Sequence, residues 1–412
     1  MQLIKFITAG NVDDGKSTLI GRLLYDSNAI SNDILESIQQ SNGTIHLAHL
    51  TDGLKAEREQ GITIDVAYKY FSTDKRKFII ADCPGHKEYT RNMITGASHA
   101  DIAIILIDAT IGITEQTQRH TFISDLMNIP CIIFCVNKMD AVDYAESVYQ
   151  KIVDQISTLQ FINKHQIEII PVSALNGDNV VHRSNNIPWY NGPTLLYLLE
   201  TYQPIENTVN LPAFLQVQYV SFQNQKRYFF GTLLNGNFEV NQEISIYPTL
   251  QKNKIKELYV LGNATSKATK NQAIALTLQD DTEIQRGYYL TANTTAIDET
   301  KFQFKLYNQF SAICFWFDTT PFIPSKRYFL QHHSLKTYVK CQSITEVLDL
   351  NVLKFKEYNH SPIEMNTIFK AQLISAQPLL LADYTKCAAL GSFIIIDETT
   401  YKTVGSGIVV NQ

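Results

Sequence analysis

Gly10-Asn11-Val12-Asp13-Asp14-Gly15-Lys16-Ser17 decides how the rest of the chain is read. It matches the pattern G-x-x-x-x-G-K-[ST], and it stands in the context that this pattern requires. The apolar run Leu3–Ala9 before it reads as a β-strand, and residues 16–25 after it read as a helix. A loop between a strand and a helix turns several backbone N–H groups toward one point, where the helix N-terminus adds its positive end. Gly10, Asn11, Val12, Asp13, Asp14, Gly15, Lys16, Ser17 and Thr18 are therefore assigned to a phosphate cradle. Lys16 sets its ammonium against the β- and γ-phosphates of a nucleotide, and the Ser17 hydroxyl is a hard oxygen ligand for Mg²⁺.

Outward from this loop, strand and helix patterns alternate as far as Tyr202. Residues 66–72 and 78–82 pattern as paired strands around the basic tip Lys75-Arg76-Lys77. Residues 102–108, 131–137 and 167–172 read as strands, the first two apolar almost throughout. Helices are expected over 115–127, 144–159 and 194–202. Strands that are apolar on both faces imply a parallel sheet covered by helices on both sides. After Pro204 the texture changes. The stretch 202–212 reads as a linker, and short β-type runs follow at 213–222, 228–234, 243–248, 255–261 and 272–278, with a second series from Lys301 onward. Regular short strands separated by Gly and Asn indicate small barrels. The expected fold is an α/β P-loop domain with a parallel sheet and helices on both faces, followed by two small all-β barrels. The boundaries are placed at 1–203, 211–294 and 300–412.

The 412 residues carry 35 Lys+Arg and 40 Asp+Glu, a net charge of −5, and 45% of them are hydrophobic. Each domain can bury its own core. The acidic balance argues against coating nucleic acid by bulk charge. No apolar run is long enough to span a membrane, and the first ten residues run into a strand pattern rather than a secretory leader. Cys83, Cys131, Cys135, Cys314, Cys341 and Cys387 lack metal-ligand spacing and read as the reduced thiols of a cytoplasmic protein. Cys131 and Cys135 share one strand face and read as buried and inert. His332-His333 reads as a solvated loop, the tip Lys75–Lys77 as exposed to water, and His46, His49 and His99 as surface or structural groups.

Asp82-Cys83-Pro84-Gly85-His86 ends the second strand of the hairpin. An Asp there can hold Mg²⁺, the Gly85 N–H can meet a γ-phosphate, and His86 stands where a side chain orients an attacking water. In Gly61-Ile62-Thr63, the Thr63 hydroxyl can complete the metal shell only when the γ-phosphate is present, which makes the segment an order–disorder switch. Asn137-Lys138-Met139-Asp140 follows another apolar strand. The Asp140 carboxylate accepts from both N1–H and N2–H of guanine, a donor pair that adenine lacks. Asn137 and the Lys138 stem hold the ring and tie this loop to the cradle. Ser173-Ala174-Leu175 follows the last strand and offers a backbone N–H to the guanine O6. Ligands of such sheets bind at the carboxyl ends of the strands, where the cradle, Asp82–His86, Asn137–Asp140 and Ser173–Leu175 fall. The residues thus describe a GTPase domain, with Lys16, Thr63 and His86 as its catalytic set and Ser17, Thr63 and Asp82 as its metal set.

The chain resembles the translation-factor GTPases, whose G domain is followed by two β-barrels. Within them, the stretches 13–26, 52–65, 173–181 and 188–196 resemble the large, GTP-hydrolysing subunit of the bacterial heterodimeric sulfate adenylyltransferase. The tail stretches 391–397 and 403–408 resemble that family's C-terminal barrel. The resemblance implies a small catalytic adenylyltransferase subunit as partner, in a heterodimer or a higher-order complex, with no nucleic acid and no membrane. That partner makes adenosine 5′-phosphosulfate and pyrophosphate from ATP and sulfate, and GTP hydrolysis by this subunit drives the unfavourable synthesis. It further implies that His86 positions water between the apolar gates Val12 and Ile62, and that Asp13 helps bind a monovalent cation. The fused adenylyl sulfate kinase of some relatives is expected to be absent. Cys83 stands where Thr is usual in the family. Lys87-Glu88 and the stretches 226–231 and 382–390 match less closely. The alternative is an elongation- or release-factor-like GTPase that delivers aminoacyl-tRNA or a release factor. Asp14, Ser173-Ala174-Leu175 and the acidic balance argue against it.

Overall fold

The computed structural model describes residues 3–27, 29, 66–84, 90–98, 100–159, 165–204, 211–292 and 304–410. The chain forms two compact units, Met1–Ile205 with Leu350–Leu353, and Glu206–Asp349 with Lys354–Gln412.

Among the described residues, the first unit is built on six strands: β1 (Leu3–Ala9), β2 (Ala67–Ser72), β3 (Lys77–Asp82), β4 (Ile102–Asp108), β5 (Cys131–Asn137) and β6 (Gln166–Pro171). They lie in the order β2-β3-β1-β4-β5-β6. Its helices are α1 (Lys16–Asp26), α2 (Thr90–Ala97), α3 (Glu115–Leu126), α4 (Glu146–Ser157) and α5 (Leu195–Thr201). Every residue of β4 and β5 is buried, as strands apolar on both faces require. The sheet is not wholly parallel. β2 runs antiparallel to β3, because the short tip between them can join only antiparallel neighbours. Register places the functional ends side by side: Thr8 is opposite Asp82, and Asp108 is opposite Asn137. Cys131, Ile133 and Cys135 face one core with Phe6, Leu19 and Leu23. Burial pushes both of these thiols up to about 12, so they are inert as expected.

The basic tip is not simply exposed. Lys75 pairs with Glu200 at 2.7 Å on the surface, but Arg76 is buried and donates to the Tyr202 carbonyl. The tip therefore fastens the end of α5 to the hairpin.

The second unit holds two closed antiparallel barrels. In the first, Glu243–Tyr247 pairs with both Gln251–Val260 and Tyr289–Ala292, which closes a ring through Phe214–Gln223, Lys226–Asn235 and Ala273–Leu278. The strand Tyr289–Ala292 lies outside the series of runs read from the sequence, yet it closes the barrel. In the second, Arg327–His332 pairs with Leu335–Asp349 and closes a ring through Ser392–Asp397, Thr403–Val409, Lys305–Trp316 and Ile368–Leu381. Phe214 and Tyr289 of one barrel pack with Leu380, Ala382, Cys387 and Leu390 of the other.

His332 belongs to this seam and not to a solvated loop. The inward alternation Tyr328, Leu330, His332 buries its ring completely, and the Tyr289 hydroxyl lies 3.0 Å from its Nδ1. Burial lowers its pKa to about 3 and keeps it neutral. Gln216 completes the seam, donating to the His332 carbonyl at 3.3 Å and accepting from the Ser334 N–H at 2.8 Å. No helix among the described residues is long and apolar enough to cross a membrane.

Candidate functional site

The cradle begins where β1 ends. Gly15 adopts φ 91°, and a Cβ there would lie 2.5 Å from the Asn137 Nδ2, so glycine is what lets the base loop approach. The Asp14 carboxylate is buried and accepts the Asn11 N–H at 2.5 Å, while the Asn11 side chain accepts the Val12 N–H at 2.9 Å. These bonds close the loop from within. Lys16 is also buried, and its Nζ donates to the carbonyls of Gly10 at 3.1 Å and Asn11 at 2.8 Å. Burial draws the Lys16 pKa down, against the opposing charges of Asp82 and Asp14. Such an ammonium has a strong electrostatic reason to meet a phosphate. Ser17 and Thr18 lie half-buried in the first turn of α1, and no side chain among the described residues caps that helix. Its leading N–H groups are left for an anion. Asp13 is exposed at the loop's turn, at φ 70°.

Asp82 ends β3, buried, with one carboxylate oxygen accepting the Thr8 hydroxyl at 2.9 Å. Its charge is the strongest of those acting on Lys16. Ser17 and Asp82 offer only hard oxygen donors, which fits Mg²⁺. The neighbouring Cys83 thiol is wholly buried, lies 3.6 Å from the Ala81 carbonyl and has its pKa raised by burial, so it offers no competing soft ligand. Thr63, Gly85, His86 and Ile62 lie outside the described residues, as do His46, His49, His99, Lys87-Glu88 and the stretch 52–65.

Burial raises the Asp14 pKa from its ordinary 3.8 to about 6, although the Asn11 N–H and Lys16 pull the other way. A raised folded-state value means that the fold favours the protonated form. Its stabilisation is complete at low pH and is lost as pH rises through the interval between the two values. Asp14→Asn keeps an oxygen acceptor for Asn11 and has no charge to bury. Between about pH 3 and pH 7, wild-type stability in urea unfolding is expected to fall by about 3 kcal/mol relative to the variant. Parallel pH profiles would show that Asp14 carries no such penalty.

The base loops meet the cradle through one amide. Asn137, at the end of β5, donates from Nδ2 to the Asp14 carbonyl at 2.7 Å and accepts the Ala174 N–H on Oδ1 at 2.9 Å. Lys138, at φ 61°, pairs with Asp108 at 2.7 Å. Burial disfavours the Asp108 charge, but Lys138 and the N–H and hydroxyl of Thr110 outweigh it and hold the pKa low. Asp140 sits half-buried in the 3₁₀ turn Met139–Val142, anchored by the wholly buried Met139. In the last loop the Ser173 N–H donates to the Asp178 carbonyl, the Asn176 N–H to the Ser173 hydroxyl, and the Gly177 N–H to the Ser173 carbonyl. With Ala174 held by Asn137, Leu175 keeps the one backbone N–H between 173 and 177 that has no hydrogen-bond partner among the described residues.

Several residues of this site escaped sequence reading. Asp108 ends an apolar strand, which was a usable signal. Tyr144 and Asp178 were not legible: the Tyr144 hydroxyl donates to Asp178 at 2.9 Å and lies 3.1 Å from the Asn176 amide, while the Trp189 indole donates to the Tyr144 carbonyl at 2.9 Å. Arg22 joins α1 to the carbonyls of Ala174 and Leu175.

The model of the elongation factor Tu GTP binding domain matches residues 1–214, and that of the GTP-eEF1A C-terminal domain-like family matches residues 309–410. Sulfate adenylyltransferase subunit 1 of Aliarcobacter butzleri is 43% identical, over 100% of this chain and 88% of its own length. The proteins of the same name from Colwellia psychrerythraea and Saccharophagus degradans are 42% and 41% identical, over 99% and 100% of this chain and 88% and 87% of their own. The chain belongs to the sulfate adenylyltransferase subunit 1 family. Its α/β domain is a GTP-binding domain of the elongation factor Tu type, followed by two β-barrels, and the relatives' name makes each of them one subunit of a larger enzyme. The structure of Sup35 complexed with GDP aligns over 100% of this chain and 94% of its own, at 22% identity and a TM-score of 0.46, a likeness too weak to carry an argument. Kinship with translation GTPases rests on the two family models and is one of fold.

Proposed function

We propose that this chain is the GTP-hydrolysing regulatory subunit of a sulfate adenylyltransferase. It works in the cytoplasm with a small catalytic adenylyltransferase subunit, as a heterodimer or within a higher-order complex. The small subunit forms adenosine 5′-phosphosulfate and pyrophosphate from ATP and sulfate, and this chain supplies the driving force by cleaving GTP. The Asn137 amide carries the nucleotide reading. It binds the cradle at Asp14 and the base loop at Ala174, so phosphate and base are held by one rigid frame. Kinship over the whole chain supports the adenylyltransferase reaction.

In this reading, Asp140 accepts the N1–H and N2–H of guanine, and the free Leu175 N–H donates to O6. Lys16 leaves the Gly10 and Asn11 carbonyls for the β- and γ-phosphate oxygens. Ser17 and Asp82, joined by Thr63, would hold Mg²⁺, which would supply charge neutralisation at the phosphates. The Gly85 N–H senses the γ-phosphate, and His86 orients the attacking water beside Val12 and Ile62. Asp13 contributes to a monovalent-cation site. Coupling requires two states whose affinity for the partner or its intermediate differs, and the γ-phosphate must bias them through Thr63 and Gly85.

The test is pyrophosphate release from ATP and sulfate by this chain mixed with its candidate small subunit, with and without GTP. Sulfate-dependent release that GTP stimulates, accompanied by GTP cleavage, is expected. Intact GTP binding without stimulation would overturn the coupling.

A further inference from the structure

We propose that Arg22 is the positioning residue through which the phosphate-side helix sets discrimination at the guanine O6. This rests on the reading of Ser173–Leu175 as the O6 loop. Arg22 lies two turns into α1, far in sequence from the base loop, yet its Nε donates to the Ala174 carbonyl at 3.3 Å and its Nη2 donates to the Leu175 carbonyl. Two successive carbonyls suit the planar fork of a guanidinium and do not suit an ammonium. The fork is itself held: Nη1 pairs with Asp26 one turn along α1 at 3.4 Å. The loop closes on this pair at Gly177, where φ is +88° and a Cβ would lie 3.0 Å from the Asp26 carboxylate and 3.3 Å from the Arg22 Cδ.

The consequence follows from peptide geometry. The Ala174 carbonyl and the Leu175 N–H belong to one planar unit, which is trans, since the cis bond of the described chain is Tyr247–Pro248. In a trans peptide the C=O and N–H point in opposite directions. By holding the carbonyl toward α1, Arg22 turns the Leu175 N–H away from α1. Among the described residues, that N–H is the one in the loop left without a partner. A cationic donor on the carbonyl also polarises the unit and strengthens its N–H as a donor. Arg22 touches neither base nor phosphate. It aims and strengthens the group that reads O6.

Equilibrium binding of three nucleotides to the full chain with Mg²⁺ separates this from a general structural role. Inosine triphosphate lacks only the 2-amino group, which Asp140 reads. 6-Thioguanosine triphosphate keeps N1–H and N2–H and replaces O6 by a weak acceptor. Wild type is expected to prefer GTP over the thio analogue by about tenfold. In Arg22→Ala this ratio falls to about two, while the ratio of GTP to inosine triphosphate stays unchanged. Arg22→Lys, able to reach one carbonyl at a time, gives an intermediate ratio. Equal weakening of all three nucleotides, no change in any of them, or narrowing of both ratios overturns the proposal. If Arg22→Ala does not fold, Arg22→Lys decides alone, and a wild-type ratio there overturns it. Wild type that rejects inosine triphosphate but not the thio analogue would fail the reading of the loop itself, and the role of Arg22 with it.

Discussion

Asp140→Asn is expected to turn a protein that prefers GTP into one that prefers xanthosine triphosphate. The carboxylate offers two acceptors to the N1–H and N2–H of guanine. An amide offers one acceptor and one donor, and its donor faces the N2 amino group. Xanthine carries a carbonyl at that position, which the amide can meet. Sites built to hydrogen-bond a substrate group reject analogues that lack it, so the preference should invert with an overall change of about 10²- to 10³-fold. In the structure this carboxylate is available to a base. Asp140 stands on a short 3₁₀ turn pinned by the buried Met139, and no group among the described residues hydrogen-bonds its carboxylate. Competition binding of the two nucleotides to the variant measures the effect. Retained preference for GTP would show that another residue reads the base.

Asn137→Ala should act on the whole site at once. The variant loses a donor to the Asp14 carbonyl at 2.7 Å and an acceptor for the Ala174 N–H at 2.9 Å, and both residues are buried. A buried group left unpaired costs about 1–3 kcal/mol, so the pair predicts about 2–6 kcal/mol and a loss of GTP affinity of about 10²-fold or more. Loss of GTP affinity should exceed the loss of fold stability, because the core beneath β5 is untouched. Asn137→Asp is expected to rescue little, since it keeps the acceptor for Ala174 but sets a carboxylate oxygen against the Asp14 carbonyl. GTP affinity within about threefold of wild type in the alanine variant would mean that the two loops are held by other contacts.

The departure at Cys83 has a structural explanation. The side chain lies under α2, where a Cβ on Gly96 would come within 2.7 Å of its sulfur. A small, weakly polar group fits there, and its identity does not enter the phosphate or metal chemistry.

Local pattern determined much of this protein. Gly10 through Ser17 between a strand and a helix, Asp82 at a strand end, and Asn137 through Asp140 after an apolar strand each carry their chemistry within a few residues. The reason is physical: a phosphate nest needs consecutive backbone N–H groups, and a fully buried strand must be apolar at every position. The β1-to-β6 domain and most barrel strands were legible for the same reason. Other features depended on partners far along the chain. Tyr289–Ala292 is too short to announce itself as a strand, and it exists because Phe214–Gln223 and Glu243–Tyr247 flank it. His332 looks solvated beside His333 until barrel alternation turns it inward onto Tyr289. Arg22 reads as an ordinary helix-surface arginine, because its partners at Ala174 and Leu175 are more than 150 residues away. By itself, the sequence determined the chemistry that the groups proposed for phosphate, metal and guanine can offer, since that is a property of residue type and close spacing. Tertiary structure alone decided how that loop is held, since Asn137 takes the Ala174 N–H and Arg22 takes the Ala174 and Leu175 carbonyls from far along the chain.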